Sequence, residues 1–183
     1  MKNIWHEIRD YVIIIVVVVL VRTFLVTPAI VDGASMDYTL EDGQLVFINK
    51  LIYRIKDIKR FDIVVVNNEI NKDKIIKRVI GLPGETIRYT IIDDNKTSKG
   101  VLYINDNIVK EEFLPVEASS KTCIGKTEIC ETGITLGKDE YFVMGDNREV
   151  SKDSRMIGTF TKKQIVGRVK FRVFPFNKFG TLK

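Results

Sequence analysis

Eleven consecutive residues, Tyr11 to Val21, contain no charge, and all but the tyrosine are Ile, Val or Leu. Arg22 and Thr23 interrupt the run, and Phe24, Leu25 and Val26 resume it ahead of Thr27 and Pro28. Eleven helical residues are too few to cross ~30 Å of hydrocarbon, which takes about 20. Residues 11–28 do reach that length if Arg22 lies near one end and snorkels to the interface. A buried β-strand would explain the β-branched residues but not the length of the segment. A cleaved leader would need a small-residue cleavage site, and Thr27-Pro28-Ala29 is a poor one. The segment therefore reads as a single retained membrane anchor. Lys2 and Arg9 are offset by Glu7 and Asp10, so charge bias sets its orientation only weakly. With residues 1–10 as a short cytoplasmic end, residues 29–183 face the outside.

The remainder is globular in composition: of the whole chain 45% is apolar and 29% charged, over 183 residues. That is enough for one sizeable core. The net charge of +5 is spread along the chain with no basic stripe, so no nucleic-acid partner is expected. Short β-branched or aromatic runs at Gln44–Asn49, Phe61–Val66, Lys74–Ile80, Thr86–Thr90, Gly100–Ile104, Glu140–Met144 and Ile165–Phe174 predict strands. Asn105-Asp106-Asn107 predicts a turn into a short strand at Ile108-Val109. Leu51–Ile58 suits a short helix, while Asp93–Lys99 and Glu117–Gly133 read as exposed loops. The expected fold class is mainly β: an antiparallel, barrel-like sheet domain carried by one N-terminal transmembrane helix.

The chemistry is narrowed by elimination. His6 is the only histidine, and an anchor at 11–28 puts it across the membrane from everything that follows. A Ser-His-Asp triad, a Cys-His pair and a histidine metal site are then excluded from the outer domain, and no metal or cofactor is expected. A hydrolase here would need a Lys or a carboxylate pair as its base. Three segments are candidates, each with a plainer alternative. Asp32-Gly33-Ala34-Ser35-Met36-Asp37-Tyr38-Thr39-Leu40 places a Ser two residues after a Gly, which a simple turn would also explain. Lys77 sits in an apolar strand ahead of Gly81-Leu82-Pro83-Gly84. Alternation puts it on the face of Ile75 and Val79, where its amine is either buried or at a solvated edge. Gly145-Asp146-Asn147-Arg148 through Ser151, Asp153, Ser154 and Arg155 is either an ordinary polar turn or a buried ion-pair network.

Taken together and in this order, the anchor, Ser35-Met36 with Thr39-Leu40, Lys77-Arg78-Val79 with the Gly-Leu-Pro-Gly turn, and the 145–155 motif resemble the type I signal peptidases, membrane-anchored Ser-Lys endopeptidases. The resemblance covers nearly the whole chain. It implies that Ser35 is the nucleophile, Lys77 the general base, and Ser151 a hydroxyl that hydrogen-bonds and orients the Lys77 amine. It also implies bracing ion pairs of Arg78 with Asp146 and of Arg155 with Asp153. A Lys at its ordinary pKa of ~10.4 is neutral in about one molecule in 2,500 at pH 7, so a working base must be lowered by roughly 2 to 4 units. Apolar burial does this only if no carboxylate pairs with Lys77, hence the expectation that both aspartates engage arginines. The Ser35 backbone N–H is the expected oxyanion donor. Some relatives place a Ser hydroxyl at the position of Gly33, so here a second donor must be backbone or water. Many relatives carry Pro where Tyr38 stands, and Tyr38 is expected to leave that turn freer.

The implied substrates are secretory preproteins with small residues at positions −3 and −1, bound as an added strand, and the implied second partner is the lipid bilayer. Phe171, Phe174, Phe176 and Phe179 either rest on that membrane or, for Phe171 and Phe174, fill the core. Cys123 and Cys130 suit a disulfide on the outer face, with free thiols as the alternative. A peptidase dedicated to a narrow set such as pilin subunits, and an inactive anchored β-domain binder, remain open as alternatives at this point.

Overall fold

The computed structural model describes residues 2–20, 26–93, 98–115 and 127–182. Helix α1 spans Lys2–Leu20. Strand β1 (Val26–Ile30) and β2 (Leu45–Asn49) follow, then the one-turn helix α2 (Ile52–Ile55), β3 (Ile63–Asn68) and β4 (Asp73–Gly81). Next come β5 (Thr86–Asp93), β6 (Ser98–Ile104), β7 (Asn107–Val109), α3 (Thr127–Glu131), β8 (Ile134–Thr135) and β9 (Glu140–Met144). The chain ends with α4 (Ser154–Ile157), β10 (Phe160–Thr161), β11 (Ile165–Phe174) and β12 (Gly180–Thr181).

Among the described residues the strands form two antiparallel sheets. The larger runs β1-β2-β11-β3-β4-β9-β10, with β12 beside β11; the smaller runs β7-β6-β5-β8. The large sheet ends at β1 on one side and β10 on the other, so it is open rather than a closed barrel. β3 is its centre, and its run Ile-Val-Val-Val has both faces buried, as a strand covered on two sides requires. One face packs Val46, Ile48, Ile63, Val65 and Val169 under Met36 and Leu40. The other packs Val64, Val66, Val79 and Val143 with Phe160 and Ile165. Ile80, Phe142 and Met144 join the small sheet through Ile87, Tyr89 and Leu102.

Four boundaries differ from the sequence expectation. The helix starts at Lys2 instead of Tyr11, and Val26–Pro28 belong to the sheet: β1 pairs along its length with β2, Val26 facing Asn49 and Ile30 facing Leu45. Pro28 is tolerated because β1 is an edge strand, where a missing N–H costs no ladder bond. Among the described residues, no helix is long and apolar enough to cross a membrane. The expected loop 93–99 is shortened, as β5 and β6 pair out to Asp93 and Ser98. The polar stretch 117–133 contains α3, because Ile129 is fully buried against the small sheet. Phe174 does not fill the core either. It is 48% exposed and stacks edge-on with the still more exposed Phe176, while Phe171 is half-buried against Phe179.

Tyr38 gives a further difference. Its φ of 82° lies in the left-handed region, which proline, locked near −65°, cannot enter. The turn is therefore held in a strained conformation and is not free. Tyr38→Gly is expected to raise stability by about 1 kcal/mol and Tyr38→Pro to lower it by more, read as shifts in urea unfolding midpoints. A stabilising proline would contradict the left-handed turn.

Candidate active site

Lys77 and Ser35 are 42 residues apart in sequence, yet the Lys77 Nζ lies 2.7 Å from Ser35 Oγ. Lys77 sits opposite Val64 in the β3–β4 ladder, on the apolar face, and only 3% of it is exposed. Its second hydrogen bond is short-range: Nζ donates to the Ile76 carbonyl at 3.0 Å. Burial lowers the pKa of the amine to about 8, against the opposing pull of Asp153, Asp146 and Asp73; the charge of Arg155 helps. Among the described residues Lys77 enters no ion pair, because both nearby buried aspartates are committed elsewhere.

Those commitments follow the expected pairing. Arg78, the next residue on β4, points to the opposite face and is fully buried. Its Nε and Nη2 donate to the Asp146 carboxylate at 2.9 and 2.7 Å, and Nη1 donates to the Phe61 carbonyl. Arg155 Nε and Nη2 donate to the two Asp153 oxygens, each at 2.9 Å. Burial pushes the Asp153 carboxyl up, but its bonds and charge contact with Arg155, the Gly145 N–H and the nearby Ser151 hydroxyl hold it below the ordinary carboxylate value. Asp153 also caps α4 through the Arg155 N–H.

The Ser151 hydroxyl departs from expectation. It is buried near the Asp153 carboxylate and does not bond the Lys77 amine. Lys77 Nζ is directed to Ser35 and to the carbonyl of its own strand at Ile76. Ser151 instead packs on Gly145, beside the Ser35 carbonyl. At Gly33 the backbone N–H donates to Asp42 Oδ1 at 2.8 Å. The Ser35 N–H, by contrast, has no hydrogen-bond partner among the described residues.

Asn147 belongs to the recognised motif, but nothing in its sequence context indicates a role. It binds the turn that carries Ser35 twice, through its N–H to the Ser35 carbonyl at 3.1 Å and its side-chain amide to the Ala34 carbonyl at 3.1 Å. Glu111, which pairs with the buried Arg148, gave no sequence signal because it sits in an ordinary polar stretch. Around Ser35 and Lys77 opens a cleft of about 390 Å³, with Ile75, Val150 and Ile157 among its walls. Beside it, β4 from Asp73 to Lys77 is paired only to β3, since pairing with β9 begins at Arg78. Cys130 is disulfide-bonded; Cys123 lies outside the described residues. Among the described residues there is no cluster of metal-ligating side chains.

The open antiparallel sheet thus sets a buried amine on a serine hydroxyl beside an open strand edge. The chain belongs to the signal peptidase family of S26 serine peptidases: the sequence profile described as "Signal peptidase, peptidase S26" matches residues 4–174. It is 42% identical to a signal peptidase I of Bacillus amyloliquefaciens over 96% of this chain and 90% of that one. It is 40% identical to signal peptidase I T of Bacillus subtilis strain 168, over 96% and 88%. A signal peptidase I of Streptococcus pneumoniae is 35% identical, with 98% of each chain covered. A crystal structure of a signal peptidase I from Enterococcus faecalis V583 is 33% identical and aligns to 62% of this chain and 97% of that one, with a TM-score of 0.48.

Proposed function

We propose that this S26 peptidase cleaves signal peptides from preproteins with Ser35 as nucleophile and Lys77 as general base. The observation that carries the reading is the 2.7 Å contact between a buried amine unpaired with any carboxylate and the Ser35 hydroxyl. Ser35 Oγ attacks the scissile carbonyl while its proton passes to Nζ of neutral Lys77. The oxyanion accepts the free Ser35 N–H. As the tetrahedral adduct collapses, Lys77 returns the proton to the leaving amine and an acyl ester remains on Ser35. Water, deprotonated by Lys77, hydrolyses that ester and restores the site. Asp146 and Asp153 brace the surroundings through their arginines and move no proton.

The open edge of β4 at residues 73–77 suits an extended substrate added as a strand, which carries alternate side chains into the cleft. Small residues at −1 and −3 fit that geometry. The same reading places the catalytic domain on the outer face of a membrane. Tyr11 to Val19 of α1 are each at least half exposed, and lipid is the natural cover for such a surface. Tyr11–Leu20 alone rises only ~15 Å, with Glu7, Arg9 and Asp10 before it, so a full anchor needs the apolar sequence beyond Leu20.

The test is cleavage of a preprotein in detergent by wild type, Ser35→Ala and Lys77→Ala, across pH. Both variants should lose at least a thousandfold in kcat. Wild-type kcat should rise with pH through an acid limb near 8, because only neutral Lys77 accepts the proton. Undiminished activity in Ser35→Ala or Lys77→Ala, or a limb near 10, would refute the roles assigned.

A further inference from the structure

Arg148 is 1% exposed, and the family reading leaves it without a task. Its Nη1 donates to Glu111 Oε2 at 2.8 Å, and Nη2 donates to the other Glu111 oxygen, giving a two-pronged pair. Its Nε donates to the Gly145 carbonyl at 3.0 Å, and its own carbonyl accepts Arg155 Nη2 at 2.8 Å. Glu111 does not come from the catalytic sheet. It follows β7 of the small sheet, and its side chain is 12% exposed. Two residues on, the ring of Phe113 lies under the Arg78 guanidinium, 3.9 Å from centroid to carbon.

From Glu111 the contacts run in series to the nucleophile. Glu111 holds Arg148, and Arg148 holds the start of the 145–155 loop at Gly145. Asn147 in that loop holds the Ala34 and Ser35 carbonyls. A fork-shaped guanidinium fixed by a carboxylate on one side can aim its Nε at one carbonyl on the other. A buried Arg without a counter-charge would instead be driven toward Asp146 or water. We propose that Glu111 is a positioning residue for the reaction, acting through Arg148 and the 145–155 loop to hold the Ser35 backbone in register with the Lys77 amine. The small sheet thereby takes part in catalysis without touching substrate. This rests on the reading of Ser35 as nucleophile.

The experiment is a double-mutant cycle on the full chain in detergent, with kcat and KM measured on a preprotein well below the melting temperature of each variant. Glu111→Gln keeps the shape and removes the charge. It should lower kcat by about 10- to 100-fold with KM within about twofold, since Glu111 does not line the cleft. Arg148→Lys keeps the ion pair but cannot reach Gly145 with the same fork, and it should show a similar loss. The double variant should be no slower than the slower single, as links in one chain require. Should Glu111→Gln fail to fold, Arg148→Lys decides the matter. Wild-type kcat in either folded variant, a loss confined to KM, or losses that multiply in the double variant would overturn the proposal. Ser35→Ala serves as the control: if it is inactive while Glu111→Gln is unimpaired, only the latch fails, whereas an active Ser35→Ala removes the nucleophile and the latch together.

Discussion

Lys77→Met is expected to abolish cleavage while making the fold more stable at pH 7, by about 2 kcal/mol. The folded amine releases its proton near pH 8, whereas an ordinary lysine does so at 10.5. Between those values the unfolded chain holds about one more proton than the folded one, so stability rises with pH across that window. Below pH 8 the full penalty stands, about 3 kcal/mol for a shift of this size. Methionine removes the charge at similar volume and sacrifices the bonds to Ser35 and Ile76, which return about 1 kcal/mol. The net gain should be present at pH 7 and shrink toward pH 10. Urea unfolding of both proteins at the two pH values measures it; equal stabilities at pH 7 would mean that burial of Lys77 imposes no cost. A site that lowers fold stability to lower the pKa of an amine is a stability–activity trade-off located in one side chain.

Gly145→Ala should be nearly as damaging, for steric reasons. A Cβ at this position would lie 2.4 Å from the Ser35 carbonyl oxygen and 2.2 Å from Ser151 Oγ. The hydroxyl can rotate away, but the carbonyl is backbone and is already held by the Asn147 N–H. The 145–155 loop and the turn that carries Ser35 would have to separate, which breaks the register of Ser35 with Lys77. We expect kcat/KM to fall at least a hundredfold and stability to drop by about 2 kcal/mol, a usual cost of overpacking. Cleavage assays with a parallel thermal melt test both parts, and activity within threefold of wild type would show that the loop is not packed against Ser35.

Much of the site was legible from its motifs taken together. Each segment alone had a plainer explanation, and it was their joint resemblance to one family that implied the Arg78–Asp146 and Arg155–Asp153 pairs, which the structure forms. The strands of the large sheet were legible from their β-branched runs. The misses have common causes. Val26–Pro28 looked like anchor because an apolar edge strand and the end of a membrane helix have the same composition, and only pairing with β2 separates them. Ile129 was hidden among polar neighbours. Tyr38 has no composition signal for its left-handed φ, and the packing of Ser151 on Gly145 depends on how the loop folds.

By itself, then, the sequence determined which groups were available: a single histidine near the N-terminus, a serine two residues after a glycine, and a lysine in an apolar run. It also determined that the folded part would be built of strands, since alternation and β-branching are local properties. Only the tertiary structure decided the lysine's charge and direction. Burial to 3% exposure, the diversion of both aspartates to arginines, and the 2.7 Å approach to Ser35 all depend on residues tens of positions apart. A pKa is set by the dielectric and the charges around a group, and those surroundings exist only once the sheet has closed over it.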